Sequence, residues 1–246
     1  MFVAVEQDEV VGWCDAYLRA GEAPSGLIWP AVREDRRRHG IGAALFDAAT
    51  QHLGAVDAYS SHSTTAAGKR FVESRGFAAV ATAEVSVVDP RRVADPPSAD
   101  VFALADVLDR VLELYRLHAG GADEVYGSAV SPRDVDEWSA RTLHDPDLSL
   151  AGSRVAIVEE GIAALAFLTV AGDRASNEMT ATLPELRGRG LARAAKLATL
   201  RWAGANGIAA VYTSNYADNV PMLAVNRRLG YERIATSVDF RAPASA

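Results

Sequence analysis

Cysteine is nearly absent from the sequence. The single residue, Cys14, excludes an intrachain disulfide and any metal site built from several thiolates. No apolar run approaches the ~18 residues that a membrane-spanning helix needs. The first residues carry Glu6, Asp8 and Glu9 in place of a basic region followed by an apolar one. These absences predict a cytoplasmic protein with no metal site and no membrane span.

Basic residues are also in deficit. The 25 Lys and Arg are outnumbered by 32 Asp and Glu, which gives a formal net charge of -7. Phosphate contacts need a basic surface, so this balance argues against nucleic acid as a partner and suits a cationic substrate better. One basic cluster interrupts the pattern and is either a phosphate site or a solvated face: Arg33, Arg36, Arg37, Arg38 and His39.

The sequence contains an internal repeat. Residues 37–42 align with 187–192 at an offset of 150, residues 74–77 with 228–231 at 154, and residues 3–5 with 155–157 at 152. Three segments in the same order at nearly the same offset indicate two diverged copies of one domain. We predict a first copy over residues 1–88, a linker over 89–98 and a second copy over 99–246.

Both copies show the same order of predicted elements, which indicates a mixed α/β (α+β) fold. A hairpin of two apolar runs, at 2–5 and 10–17 or at 155–158 and 162–170, precedes a strand at 26–32 or 179–183. A loop and helix, a further strand and a second helix follow. The second copy has two additional helices, predicted over 101–118 and 134–144. The first copy lacks them, so either its true start lies upstream of Met1 or it has lost part of the fold.

The loop between the third strand and its helix is the strongest chemical signal. Gly188 and Gly190 let the backbone approach a ligand closely, and Arg187 and Arg189 add positive charge. Free backbone N–H groups and the helix dipole at such a turn suit a phosphate. Neither the Gly-x-x-x-x-Gly-Lys-Ser/Thr loop nor the dinucleotide-binding Gly-x-Gly-x-x-Gly pattern is present.

These residues resemble the GNAT superfamily of N-acetyltransferases, whose signature is Arg/Gln-x-x-Gly-x-Gly/Ala after a strand ending in Val-x-Pro. The stretch 182–192 fits it with Thr182 at the valine position, and 215–231 is similar to the Asn-led helix closing in Leu-Gly-Phe/Tyr. The resemblance implies two tandem GNAT-like acyltransferase folds, the N-terminal one truncated. The tandem arrangement resembles mycothiol synthase, in which the C-terminal copy acetylates a cysteinyl amine, although this chain is shorter.

The resemblance implies that acetyl-CoA is the cosubstrate. The backbone of the loop would hold the CoA pyrophosphate, and the strand before it would pair with the pantetheine arm. Asn215 and Asn219 would contact the cofactor, with a turn residue and a plain helix N-cap as the alternative interpretations. The cofactor residues so implied are Thr182, Leu183, Arg187, Gly188, Arg189, Gly190, Leu191, Ala192, Asn215 and Asn219.

Acetyl transfer requires a neutral amine, and a primary amine of pKa ~10 is mostly protonated near pH 7. A base therefore assists. The family often places a carboxylate on the strand before the loop, where Glu178 lies; the alternative is an exposed strand-end glutamate. Asn226 occupies the position of the family's acid, a tyrosine. Tyr216 or Tyr212 is then the candidate donor, or the thiolate leaves without one.

The first copy departs from the family pattern at several positions. Glu34 replaces the proline, Ile28 occupies the place of Glu178, and Val72 occupies the place of the tyrosine. We therefore expect this copy to be structural.

Together these observations predict an acetyl-CoA-dependent N-acetyltransferase that acts on a primary amine of a small molecule, with the chemistry in the second copy. A non-catalytic CoA-binding or scaffolding protein is the alternative. A homodimer in which two first copies pair through an exposed strand edge is a further hypothesis.

Overall fold

The computed structural model describes residues 1–19, 24–93, 99–126, 134–159 and 161–243. The chain divides into two compact units, Met1–Ala83 with Thr236–Ala246, and Glu84–Ala235. The predicted mixed α/β class is confirmed, since strands and helices alternate in both units. None of the helices in the described ranges is long and apolar enough to cross a membrane.

The first unit is a sheet with two helices on one face. Its strand order is β1-β2-β3-β4-β11, in which β3 and β4 are parallel. The described pairings of β1 with β2, β2 with β3, and β4 with β11 are antiparallel. The elements are β1 (Phe2–Glu6), β2 (Glu9–Arg19), β3 (Ser25–Val32), α1 (Ile41–Leu53), β4 (Ala58–Ser63), α2 (Ala66–Glu73), the start of β5 (Ala78–Val88) and the end of β11 (Glu232–Pro243).

Helix α1 forms because its apolar residues recur at helical spacing. Leu45, Ala49 and Leu53 are buried on one stripe, and Gly54 follows the last turn with φ 65. The stripe packs against Cys14 and other core residues of the sheet. Each large side chain buried this way stabilises the fold by roughly 1.5–3 kcal/mol.

The second unit is a three-layer sandwich. Helix α3 and the short α4 pack on one face of the sheet, and α5 packs on the other. Its strand order is β5-β10-β9-β8-β7-β6. Besides the end of β5 and the start of β11, its elements are β6 (Val101–Ala103), α3 (Val111–Tyr126), α4 (Val135–Trp138), β7 (Arg154–Val158), β8 (Gly161–Ala171), β9 (Arg174–Thr182), α5 (Leu191–Ala205), β10 (Ala210–Tyr216) and α6 (Val220–Arg228).

The central strand of this sandwich is β8, and its sequence explains its position. Seven consecutive residues from Ile162 to Leu168 are buried, which is the continuous apolar run of a strand covered on both faces. Neighbouring side chains enter different cores. Phe167 packs with Trp138 and Leu114 on the α3 side, whereas Leu168 packs with α5.

The predicted helix over 101–118 is wrong in its first part. Val101–Ala103 form β6, which pairs with β7, and Leu104–Arg110 form 3-10 turns interrupted at Val107. The α-helix begins only at Val111. The apolar spacing was misleading because its residues belong to different elements. Leu104 and Val107 lie in the 3-10 segment and are buried, whereas Val101 lies in strand β6.

Several other predicted elements are confirmed with shifted ends. Both hairpins form, and the helix predicted over 134–144 is α4 followed by a π-helical turn, Ser139–Leu143. The strand predicted over 179–183 begins earlier, at Arg174, because its buried residues at 175 and 177 belong to the same alternating strand.

The end of the chain belongs to the first unit. From Val238 to Pro243, β11 pairs antiparallel with β4, and Phe240 lies in the core under α1. The predicted bounds 1–88, 89–98 and 99–246 describe the sequence copies and stay a prediction. The compact units do not follow those bounds at either end of the second copy. Residues 94–98 of the predicted linker lie outside the described residues.

Candidate active site

The loop from Pro184 to Gly190 carries two left-handed residues. Gly188 has φ 78 and Gly190 has φ 79, a region that residues with a Cβ rarely adopt. A Cβ added at either position would meet nothing within 4 Å. The glycines are therefore required by backbone conformation and not by crowding, and the space above them is open.

Helix α5 begins directly after this loop. Its N-cap is Gly190, which provides no side-chain hydrogen bond to the first N–H groups of the helix. Those donors and the positive end of the helix dipole suit an anion. Arg189 is exposed beside them, whereas Leu191 is buried and Ala192 half-buried. The exposed residues of the predicted loop, Arg187 to Gly190, therefore lie together at the start of α5.

The side chain of Arg187 holds the loop in place. Its Nη2 donates to both carboxylate oxygens of Glu124 on α3 at 2.7 Å, and its Nε donates to the Thr182 carbonyl at 3.3 Å. Gly121, one turn earlier on α3, lies close to β9, because an added Cβ there would be 2.7 Å from the Ala181 Cβ. Arg187 thus connects α3, the end of β9 and the loop.

Strand β9 leaves one edge open as it approaches this loop. It pairs in parallel with β10 from Ala210↔Arg174 to Thr213↔Asn177, and the pairing ends there although β9 continues to Thr182. On its other side β9 remains paired with β8 up to Ala164↔Thr182. The diverging strands leave backbone groups of β9 available to an extended ligand, the arrangement that the resemblance implies for Thr182 and the pantetheine arm. Leu183 donates its N–H to the Ala163 carbonyl at 2.9 Å.

Glu178 lies where the strands begin to diverge. The β8–β9 register shifts between Ala166 and Leu168, so β9 is bulged at Glu178 and Met179. The Glu178 carboxylate is exposed and accepts a 3.3 Å hydrogen bond from the Thr169 hydroxyl. Its exposure leaves it accessible to an amine, although a strand-end glutamate would show the same exposure.

The residues predicted on β10 and α6 have mixed outcomes. Asn219 caps α6, since its Oδ1 accepts from the Met222 N–H at 3.2 Å, which confirms the helix N-cap interpretation. Asn215 lies within β10, so its interpretation as a turn residue is wrong. Its Oδ1 accepts from Asn226 Nδ2 at 2.7 Å. Tyr216 is half-buried at the end of the same strand.

Sequence reasoning missed a buried polar cluster beneath the diverging strands. Lys196 on α5 is 1% exposed. Its Nζ lies 3.5 Å from the Thr213 hydroxyl and 5.1 Å from the centre of the Tyr231 ring. Burial lowers the pKa of Lys196 to about 7 and raises that of Tyr231 far above its ordinary value. A signal was available, because Phe46 occupies the Lys196 position in the first copy.

The first copy keeps the loop geometry. Arg38 and Gly40 are left-handed at φ 70 and 83, and Arg37 Nε donates to the Val32 carbonyl at 3.1 Å, as Arg187 does to Thr182. Its basic cluster is largely neutralised, however. Arg33 pairs with Glu9 and Asp35, Arg36 with Glu6 and Asp35, and Arg37 with Glu34.

The repeated loop, the diverging strands and the two sequence copies agree with family comparisons. The acetyltransferase (GNAT) domain matches residues 1–79, and the acetyltransferase (GNAT) family matches residues 111–231. The chain belongs to the GNAT acetyltransferase family. It contains two GNAT domains in tandem, and the enzymes of this family are acyltransferases.

Solved GNAT structures share the fold over nearly the whole chain. A GCN5-related N-acetyltransferase from Sphaerobacter thermophilus superposes with a TM-score of 0.70 at 17% identity, covering 96% of this chain and 78% of that one. A tandem GNAT protein from the clavulanic acid biosynthesis pathway gives 0.70 at 22% identity, covering 99% and 82%. A GCN5-related N-acetyltransferase from Kribbella flavida gives a TM-score of 0.63 at 17% identity, covering 95% of this chain and 91% of that one. Comparison with curated protein sequences gives no match.

Proposed function

We propose that the second GNAT domain transfers the acetyl group of acetyl-CoA to a primary amine of a small molecule. The open edge of β9, which leads into the unobstructed loop at the start of α5, is the observation that carries the proposal. The loop and strand would hold the pyrophosphate and pantetheine arm through backbone groups. The net charge of -7 favours a cationic acceptor.

In the proposed reaction, Glu178 takes a proton from the acceptor ammonium, directly or through water. The freed amine nitrogen forms a bond to the thioester carbonyl carbon, and the carbon–sulfur bond then breaks, while the nitrogen gives up its second proton and so restores the proton that is donated to the thiolate. Tyr216, at the end of the strand that diverges from β9, is the proposed proton donor to the departing CoA thiolate. The remaining cofactor contacts are those inferred for Asn215 and Asn219.

Two contrasts support the second domain as the catalytic one. Ile28, at the position of Glu178, is fully buried and cannot act as a base. Among the described residues, three arginines near the first loop (Arg33, Arg36 and Arg37) are paired with carboxylates, against Arg187 alone at the second loop, which leaves less unpaired positive charge to attract a phosphate in the first copy. A cytoplasmic location is part of the proposal, because Cys14 is a buried free thiol suited to a reducing compartment. The mycothiol synthase-like acceptor and the homodimer stay predictions.

The test is release of CoA from acetyl-CoA in the presence of a panel of small primary amines. We expect turnover by the wild type, a loss of about 100-fold in kcat for Glu178→Gln, and wild-type rates for the control Glu232→Gln, which removes an exposed carboxylate from β11. Tight acetyl-CoA binding with no CoA release for any amine would overturn the proposal. That outcome would favour the non-catalytic CoA-binding alternative.

A further inference from the structure

Among the described residues, Lys196 has fewer hydrogen-bond partners than a buried lysine normally requires. An ammonium carries three donors and no acceptor. The described contact of its Nζ is a 3.5 Å approach to the Thr213 hydroxyl. A buried, weakly bonded amine reduces stability relative to an apolar side chain of similar size. The second unit is therefore less stable with Lys196 than it would be with an apolar side chain, and packing alone does not explain the lysine.

The amine belongs to a connected polar cluster. Thr213 Oγ1 lies 3.2 Å from the Asn177 carbonyl and 3.5 Å from Asn215 Oδ1, and Asn226 Nδ2 donates to the same Asn215 oxygen at 2.7 Å. Asn226 is 3% exposed, and its own Oδ1 has no partner among the described residues. Asn177 extends the cluster by accepting from the Tyr231 hydroxyl at 2.7 Å and by donating its Nδ2 hydrogen to the Thr199 hydroxyl at 3.2 Å.

This cluster lies at the last paired position of β9 and β10. Asn177 and Thr213 face each other in the ladder, and the strands diverge immediately afterwards. Glu178 is the next residue on β9, and Asn215 lies two residues further on β10. The cluster thus connects the base of the diverging strands to both strands of the proposed site.

The first unit serves as an internal control. It has the same ladder end, Leu27↔Ser60, and the same helix on the sheet. The repeat offsets pair five polar cluster members with apolar residues that are all buried. Asn177, Lys196, Thr199, Asn226 and Tyr231 correspond to Leu27, Phe46, Ala49, Val72 and Phe77. The fold can therefore be built with apolar side chains at these positions, so it does not require the polar cluster.

The protonation state of Lys196 determines what the Thr213 hydroxyl can do. That hydroxyl has one proton to donate. An ammonium can only donate, so Thr213 must accept from it and direct its proton toward Asn215 or the Asn177 carbonyl. A neutral amine can instead accept the Thr213 proton. The hydrogen bonding offered to Asn215, and through Asn215 to Asn226, changes accordingly.

We propose that Lys196 is a positioning residue of the acyl-transfer site, whose amine sets the orientation of the Thr213 hydroxyl and through it the Asn215–Asn226 amide pair. Its consequence for catalysis rests on the proposed function. Burial is the cause of the lowered pKa of Lys196, about 7, and the titratable group described in contact with it is the Tyr231 phenol, whose pKa is raised well out of the neutral range. The amine therefore changes charge near neutral pH.

The first experiment needs no substrate. The side-chain amide resonances of Asn215 and Asn226 are followed by NMR from pH 5.5 to 8.5 in the wild type, Lys196→Met and a matched buried substitution on the same helix, Leu200→Met. We expect both amides to shift with a common midpoint near neutral pH in the wild type and the control, and not in Lys196→Met. Amides that do not titrate in the wild type would overturn the proposal.

The second experiment separates positioning from folding. For Lys196→Met and Thr213→Val we expect kcat to fall about tenfold or more and the acetyl-CoA dissociation constant to rise, since Asn215 is a proposed cofactor contact, with a melting temperature that is not lowered in Lys196→Met. Thr213→Ser should restore kcat because it keeps the hydroxyl. Wild-type kcat and pH profile in Lys196→Met would overturn the catalytic consequence. Absence of acetyl-CoA binding in the wild type would instead overturn the proposed function, and the NMR result would still decide the orientation of the amide pair.

Discussion

Two buried bases, Lys196 and His118, are expected to control the pH dependence of stability. Burial lowers the pKa of Lys196 from 10.5 to about 7 and that of His118 from 6.5 to about 4. The unfolded chain therefore binds more protons than the folded chain in two pH windows, from about 7 to 10.5 for Lys196 and from about 4 to 6.5 for His118. The free energy of unfolding consequently rises with pH in both windows and falls as the pH drops through them.

Urea unfolding between pH 4 and 10 tests this expectation. Lys196→Met should remove the upper rise and increase stability most below pH 7, while Leu200→Met, with a cost under about 1.5 kcal/mol, should keep it. The lower rise is assigned to His118, whose ring stacks on that of Phe167 with 5.5 Å between the ring centres. His118→Phe should remove this rise. A slope unchanged by either substitution would contradict the assignment of that window.

At the scale of an element, α6 combines a structural residue with a proposed cofactor contact. Asn219→Ala removes the N-cap acceptor of this helix and should lower the free energy of unfolding by about 1 kcal/mol. Asn219→Asp keeps the cap and should restore stability. If Asn219 also contacts the cofactor, both variants should bind acetyl-CoA more weakly, measured by calorimetry beside a thermal melt. Full acetyl-CoA affinity in both would leave the cap as its role.

Much of each element could be read from local sequence. The continuous apolar run of β8, the spacing in α1 and the paired glycines before α5 each specify their structure within a few residues. The strand β6 could not be read this way, because three residues at the start of an apolar periodic stretch are decided by their partner β7. The alternative interpretation of Asn215 as a turn residue was likewise wrong, since polar residues at a strand end look like a turn unless their buried partners are known.

The cluster around Lys196 illustrates why part of the site was missed. Its members are distributed over β9, α5, β10, α6 and the residue directly before β11, so no window of sequence contains it. Its hydrogen bonds depend on where the strands diverge, which is a property of the sheet. Alignment of the two copies places Lys196 at the position of the apolar residue Phe46. This comparison of the copies gives the one indication of the cluster that the sequence contains.

At the scale of the molecule, the first unit depends on the end of the chain. Phe240, 1% exposed, contributes to its core from β11. Phe240→Ala should destabilise this unit by roughly 3–5 kcal/mol through lost burial and the cavity that remains. Amide hydrogen exchange should accelerate along β4, which pairs with β11. The exposed neighbour Arg241→Ala should leave that exchange unchanged, and slow β4 exchange in Phe240→Ala would contradict the dependence.

This dependence could not be predicted from the repeat. Offsets in the sequence assign residues 232–243 to the second copy, since they follow its Gly-aromatic pair. Which strand they pair with is decided by a contact nearly 180 residues away along the chain, as in Val238↔Ser63. Local patterns carry no information on such a contact.

The central claim is that the second domain, and not the first, binds acetyl-CoA, and calorimetric titration of matched variants tests it most directly. Gly190 and Gly40 occupy the same left-handed position at the start of α5 and α1, with open space at both, so aspartate introduces a similar strain and a negative charge at each. The account predicts one binding site in the wild type, loss of binding in Gly190→Asp and wild-type binding in Gly40→Asp. Binding that survives Gly190→Asp but is lost in Gly40→Asp would contradict it.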